Sequence, residues 1–158
     1  KVRLWAHKGI KKREKRAVPI MIRIAADGAA LSNLTFVNSM NKTESLLEVL
    51  FSTLQEMGRT SVPHLVEIIK EDNDEWTRRA LGILGKIGKD AGDAVPNIVD
   101  LLETQTNDSV LVSAINALAD IGDMDPRVMP LLMELLESEN KTVSQSAKKA
   151  VKKLGEDS

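Results

Sequence analysis

Cysteine and tyrosine are both absent from this 158-residue chain, and two Trp and two Phe bring the aromatic share to only 3 %. Without cysteine there is no disulfide, no thiolate metal site and no thiol-dependent catalysis, and a reducing compartment is permitted. With so few aromatics, the platforms on which single-stranded bases stack have almost no material. No apolar run approaches the roughly 18–20 residues that a membrane-spanning helix needs, and no signal peptide is visible. A cytoplasmic location and no membrane partner are the expectation.

Histidine is nearly as scarce, with His7 and His64 alone. His64 follows Pro63 at the start of an apolar stretch, aligned with Asn97 and Leu131, and reads as exposed or lightly packed. No paired His-Glu motif exists. Gly82, Gly85 and Gly88 are spaced along a helical pattern rather than on a strand-to-helix turn, so they do not make a phosphate loop. Carboxylates are plentiful, but nothing marks two of them for acid–base work. The chain therefore reads as a non-enzyme, without catalytic residues, metal or cofactor.

Charge of the two signs nearly cancels, 22 Lys/Arg against 23 Asp/Glu, but unevenly along the chain. Residues 1–30 hold nine basic residues against Glu14 and Asp27, a balance of +7, which leaves thirteen against twenty-one, −8, for the remainder. The run Lys8, Lys11, Lys12, Arg13, Lys15 and Arg16 is material for salt-dependent phosphate contact, and equally for a solvated connector. Residues 1–16 read as the end of a preceding repeat plus this basic connector, with Gly9 closing a helix that holds Leu4 and Trp5. A chain that begins at Lys1 rather than Met reads as a segment of a larger protein.

Self-similarity is what the chain has in abundance. Ser61–Gly88, Ala94–Gly122 and Val128–Gly155 are versions of one pattern. Val62-Pro63, Val95-Pro96 and Met129-Pro130 open the units at spacings of 33 and 34 residues; Gly88, Gly122 and Gly155 close them at spacings of 34 and 33. A period in this range means stacked helical hairpins, each too small to bury its own apolar face. Proline sits in a helix's first turn, where its missing N–H has no intrahelical partner to lose. Polar turns at Glu71–Glu75, Thr104–Asp108 and Ser138–Thr142 separate the two helices of each unit, with Asn and Asp placed to cap. Asp72-Asn73-Asp74-Glu75 fits a capping box starting at Asp72. Asn33-Leu34-Thr35, Asn41-Lys42-Thr43, Asn107-Asp108-Ser109 and Asn140-Lys141-Thr142 match the glycosylation sequon, but the last three fall at expected second-helix starts, where capping already accounts for them. Ala17-Val18-Pro19 is in phase with these openings, so a further unit spans residues 17–58, with a second helix at Thr43–Met57. An inserted loop, residues 27–41, interrupts it, with Leu34, Phe36 and Val37 expected against the core.

Val-Pro-x-Leu-Val-x-Ile-Ile, followed by Ala-Leu-Gly-Ile-Leu-Gly-Lys-Ile-Gly, resembles a HEAT repeat, particularly the short bacterial type of phycobilisome-lyase-like proteins. The resemblance implies an all-α, right-handed α-solenoid of about four HEAT-like hairpins at 17–58, 61–88, 94–122 and 128–155, with second helices lining the concave face. It is incomplete in one respect. The family's Val-Arg pair at the start of the second helix is replaced by Trp76-Thr77, Val110-Leu111 and Val143-Ser144, which removes the Asp/Arg ladder often run along such stacks. The absence of paired His-Glu motifs argues against the HEAT-like iron hydroxylases.

Aligned on their closing glycines, the second helices place apolar residues one, four, five, eight and twelve positions earlier, a single helical face. Trp76 falls on it together with Leu46, Val110 and Val143, as a buried tryptophan between repeats. The opposite face, three, six and ten positions before glycine, is the expected concave stripe: Glu48, Ser52, Gln55; Arg78, Gly82, Gly85; Val112, Asn116, Ala119; and Gln145, Lys149, Lys152. Its floor of Gly82, Gly85 and Ala119 either lets a partner approach closely or serves the crowding of helices inside a curved stack. The expected function is a protein–protein interaction scaffold that binds another protein, or another domain of the same parent chain, on this stripe. A nucleic-acid-binding module using the basic arm and a bilin-lyase-like subunit are the alternatives.

Overall fold

The computed structural model describes residues 35–37, 43–122 and 125–156, and the chain divides into two compact units at Met57/Gly58. The first unit contains a two-stranded antiparallel hairpin, β1 (Thr35–Val37) and β2 (Thr43–Ser45), with Phe36 opposite Glu44, followed by α1 (Leu46–Met57). This corrects the expected helix at Thr43–Met57. Its first three residues pair as a strand, and the helix begins at Leu46. Thr and Ser are modest helix formers, and the segment Thr35-Phe36-Val37 supplies the β-branched and aromatic residues that suit a pairing partner. Part of the inserted segment is therefore a strand rather than a loop. Leu34, the first helix expected from Ala17, the rest of the insertion and the basic residues of 1–16 lie outside the described residues, as do the side chains of Phe36, Val37 and Leu46. Helix α1 buries Leu50, Phe51, Thr53 and Leu54.

The second unit is an all-α solenoid of three hairpins: α2 (Val62–Ile69) with α3 (Asp74–Ile87), α4 (Val95–Thr104) with α5 (Asp108–Ile121), and α6 (Val128–Leu135) with α7 (Lys141–Glu156). Each first helix packs on its own second helix, and the second helices pack on one another in order, α3 on α5 and α5 on α7. The hairpins begin as the proline pattern predicts, with Pro63 and Pro96 in the first turns of α2 and α4. Short 3-10 turns, Gly58–Ser61 and Gly88–Ala94, enter α2 and α4, the first held by a 2.7 Å bond from Ser61 Oγ to the Gly58 carbonyl. Gly88 and Gly122 end α3 and α5 with φ of +67°, a conformation that a side chain disfavours.

The core is aliphatic throughout. Leu65 and Ile68 of α2, Leu81 and Leu84 of α3, Ile98 of α4, Ile115 and Leu118 of α5, Leu132 of α6 and Leu154 of α7 are all fully buried. At roughly 1.5–3 kcal/mol for each such side chain, burial between hairpins outweighs the weak intrinsic stability of helices as short as α2 and α6. Trp76, expected to be buried, is only half-buried, whereas its counterparts Val110 and Val143 are fully enclosed. It stands in the first turn of α3, where its backbone N–H is taken by the cap.

Candidate functional site

The starts of the second helices are built from one repeated device. Asn73 caps α3 by accepting the Trp76 N–H at 3.1 Å, Asn107 caps α5 by accepting the Ser109 N–H at 2.9 Å, and Asn140 accepts the Thr142 N–H at 2.8 Å at the start of α7. The cap of α3 is thus Asn73, one residue later than the capping box placed it. Each asparagine amide has donors to spare. Asn107 Nδ2 donates to Asp74 Oδ2 at 2.6 Å, and Asn140 Nδ2 donates to Asp108 Oδ2 at 2.7 Å. The chain thus carries a ladder of caps that cross-link successive hairpins through the first-turn aspartate of the preceding second helix. Sequence reasoning identified the asparagines as caps and missed this second role. The signal was the repeated Asn-Asp pair at 73–74 and 107–108. At 140–141 the pair becomes Asn-Lys, and the aspartate rung ends there.

Two further ties bind successive hairpins on other sides. Arg127 Nη1 donates to Asp100 Oδ1 of α4 at 2.8 Å, while its Nε and Nη2 meet the Asp125 carboxylate at 3.3 Å each. These bonds hold the Asp125 carboxyl below its ordinary value and raise the arginine. Lys153 of α7 donates to Asp120 of α5 at 2.7 Å. On α3, half-exposed Glu75 accepts from Arg79 and Arg78, which keeps its carboxyl low.

The expected stripe is narrower than the sequence pattern suggests. Arg78 and Gly82 of α3, Asn116 of α5, and Gln145 and Lys149 of α7 are exposed, and Val112 is half-buried. The row nearest the closing glycines behaves differently. Gly85 is buried and Ala119 is 8 % exposed. A Cβ on Gly85 would lie 3.2 Å from Asp120 Oδ2 and 3.5 Å from Ala117 Cα of α5. These two small residues serve the close approach of helices and do not floor an open groove. Lys152 occupies the same row on α7, where it is exposed and 3.7 Å from Glu156. Gly82, by contrast, has nothing within 4 Å of its would-be side chain. Beside it a shallow depression of about 470 Å³ is bounded by Arg78, Asp108, Ser109, Val112, Ser113, Asn140 and Thr142. The stripe residues Glu48, Ser52 and Gln55 belong to α1 in the first unit, where all three are exposed.

His64 is half-buried, its Nδ1 lying 3.8 Å from Glu67 Oε2 with no hydrogen-bond partner. Among the described residues, no group of three or more His, Asp or Glu side chains is placed to hold a metal ion, and no helix is long and apolar enough to cross a membrane. The candidate phosphate contacts Lys8, Lys11, Lys12, Arg13, Lys15 and Arg16 lie outside the described residues.

The sequence family of HEAT repeats matches residues 62–152, more than half of the chain. The chain is a HEAT-repeat protein. HEAT repeats generally mediate protein–protein interaction, and proteins of the family are typically non-catalytic scaffolds. Over 91 residues, 58 % of the HEAT-repeat chain, it is 30 % identical to the "Uncharacterized protein SkfG" of Bacillus subtilis (strain 168). That stretch covers 52 % of the relative, so the chain spans about half the length of the curated relative it matches.

Proposed function

We propose that this HEAT-repeat chain is a non-catalytic scaffold that binds another protein, or another domain of its own parent chain, along the exposed face of its second helices. One observation carries the reading. Three second helices stack side by side, and of their outward rows Arg78, Gly82, Asn116, Gln145 and Lys149 are exposed and Val112 is half-buried among the described residues. Side chains on these rows are short or flexible at the centre and cationic at the ends. Gly82 gives a partner backbone room to approach, and Val112 supplies a half-buried apolar contact in the adjoining depression. Lys149 and Arg78, the latter paired with Glu75, bring positive charge, and none of the six residues is acidic. The partner surface that suits these rows is a polar segment carrying carboxylates, read by hydrogen bonds to Asn116 and Gln145 and by the two cations.

The test is affinity capture from source-cell lysate with three baits: the intact chain, Arg78→Glu/Asn116→Glu/Lys149→Glu on the stripe, and Glu67→Lys/Glu103→Lys on the first helices. All the substituted residues are exposed, and unaltered thermal unfolding of each bait checks that it keeps the fold. A protein recovered by the first and third baits and lost with the second supports the proposal. Recovery that depends on nucleic acid, removed by nuclease and indifferent to the stripe, overturns it.

A further inference from the structure

A second surface lies on the outer side of the third described hairpin, away from the stripe. Aligned on the opening prolines, Met129, Met133 and Leu136 of the last hairpin occupy the positions of Val95, Val99 and Leu102. Val99 is 0 % exposed in its hairpin, with another hairpin following it; Met133 is 57 % exposed, and Met129 and Leu136 are half-buried. The three residues fall at i, i+4 and i+7, one stripe along α6 and its C-cap Leu136. Ser144 Oγ donates to the Leu136 carbonyl at 2.8 Å, so the exposed edge of α7 runs directly alongside.

On α7 the same face has changed its chemistry. Aligned on the closing glycines, Lys148 stands where Leu81 and Ile115 are fully buried, and Lys152 where Gly85 and Ala119 are buried. The contact of Gly85 with Asp120 and Ala117 shows that this row faces the next hairpin's second helix. Where the earlier hairpins set aliphatic or small side chains against the next second helix, α7 sets two cations. The first-helix half of this outer face therefore calls for an apolar partner and the second-helix half for a negative one.

We propose that the outer face formed by α6 and α7 receives an amphipathic helix of a partner protein, whose apolar stripe covers Met129, Met133 and Leu136 and whose acidic edge meets Lys148 and Lys152. Charge complementarity selects this occupant. Helix α7 carries Lys141, Lys148, Lys149, Lys152 and Lys153 against Glu156 alone, and half-buried Val151 lies on the same side as Lys148. The pairing of Lys152 with Glu156, both largely exposed, is weak enough to be exchanged for a partner's carboxylate. Glu134 and Glu137 lie on the far side of the methionine stripe, so the acidic edge of the incoming helix is directed towards α7. Flexible methionine suits such a site, since its unbranched side chain adapts to the helix it meets.

The probe is a fluorescein-labelled, alanine-based helical peptide of about 16 residues, long enough to hold helix in water, with Leu at i, i+4 and i+7 and Glu along one edge. Its comparator carries Gln in place of Glu. Anisotropy and amide chemical-shift mapping are read on the intact 158-residue chain. The proposal expects saturable binding, shifts centred on Met133 and Lys148, and at least about tenfold weaker binding of the Gln peptide. Met133→Glu and Lys148→Glu/Lys152→Glu each weaken the acidic peptide by about tenfold or more, Glu134→Gln/Glu137→Gln does not, and Arg78→Glu on the stripe leaves it unchanged. All these residues are exposed, and unaltered thermal unfolding of the variants confirms the fold. Absent binding, equal binding of the two peptides, or shifts elsewhere overturns the proposal. So does concentration-dependent self-association abolished by Met133→Glu, which would make a second copy of the chain the occupant.

Discussion

Asn107 bonds in two directions at once: its Oδ1 accepts the Ser109 N–H that starts α5, and its Nδ2 reaches 2.6 Å to Asp74 Oδ2 of the preceding hairpin. Asn140 repeats the arrangement one hairpin later with Thr142 and Asp108. The amide accepts for its own helix through one atom and donates to a carboxylate through another. Ionised aspartate caps as well but has no donor for a second carboxylate, and a serine hydroxyl would have to serve both partners through a single, shorter-reaching oxygen. The ladder therefore specifies asparagine for a reason that capping alone does not supply.

Replacing Asn107 separates the two roles. Asn107→Ala loses the cap and the rung, and unfolding by urea should register a loss of about 1–2 kcal/mol. Asn107→Asp keeps the cap acceptor but sets a carboxylate against Asp74. It should be destabilised at neutral pH and recover as the solution is acidified and one of the pair takes a proton. An Asp variant as stable as the parent at neutral pH would show that the rung carries nothing.

The two helical glycines of α3 should respond differently to alanine. At Gly82 the added Cβ meets nothing within 4 Å, so Gly82→Ala gains helix propensity alone, about 0.5–1 kcal/mol. At Gly85 the same gain is opposed by contacts at 3.2 Å with Asp120 and 3.5 Å with Ala117. Asp120 is an exposed side chain that can shift, but it is held by Lys153 at 2.7 Å. Thermal unfolding should therefore rise more for Gly82→Ala than for Gly85→Ala. The reverse order would mean that Gly82 is covered and the stripe is not open.

Two carboxylates tie stability to acid. Glu75, hydrogen-bonded by Arg79 and Arg78, and Asp125, hydrogen-bonded by Arg127, are both held below their ordinary values of 4.5 and 3.8. A lowered carboxyl contributes stability that is complete above its unfolded pKa and is lost as pH falls through the folded one. The contribution of these pairs is thus constant at neutral pH and lost only below those ordinary values. Carboxyl-detected NMR titration should find the Glu75 midpoint rising towards 4.5 in Arg78→Ala/Arg79→Ala. A midpoint that does not move would remove the arginines as the cause.

Much of this arrangement was legible in the sequence because the repeat writes each position three times. Proline in the first turn, the closing glycines of α3 and α5 and the aliphatic face of α3, α5 and α7 each had a local physical cause, and the hairpins formed where that cause placed them; Gly155, expected to close the third unit, instead lies inside α7, which runs on to Glu156. What escaped was set between elements. The pairing of Thr43–Ser45 with Thr35–Val37 depends on two segments meeting, which helical periodicity cannot register. The row of Gly85 and Ala119 lay on the face opposite the apolar stripe, but the way successive second helices lean on one another turns it into their contact. The reach of Asn107 to Asp74 spans 33 residues and follows from the stacking, not from either residue's neighbours.

The most direct test of the scaffold reading places a photo-reactive amino acid at one position at a time in the chain expressed in its source cells. Asn116 and Lys149 represent the outward rows of the second helices, Glu67 and Glu103 the first helices; all four are exposed. After irradiation, cross-linked species are identified by mass spectrometry. The account predicts one discrete protein adduct shared by the Asn116 and Lys149 positions and absent from Glu67 and Glu103. An adduct confined to the first-helix positions, or none at Asn116 and Lys149, would contradict it.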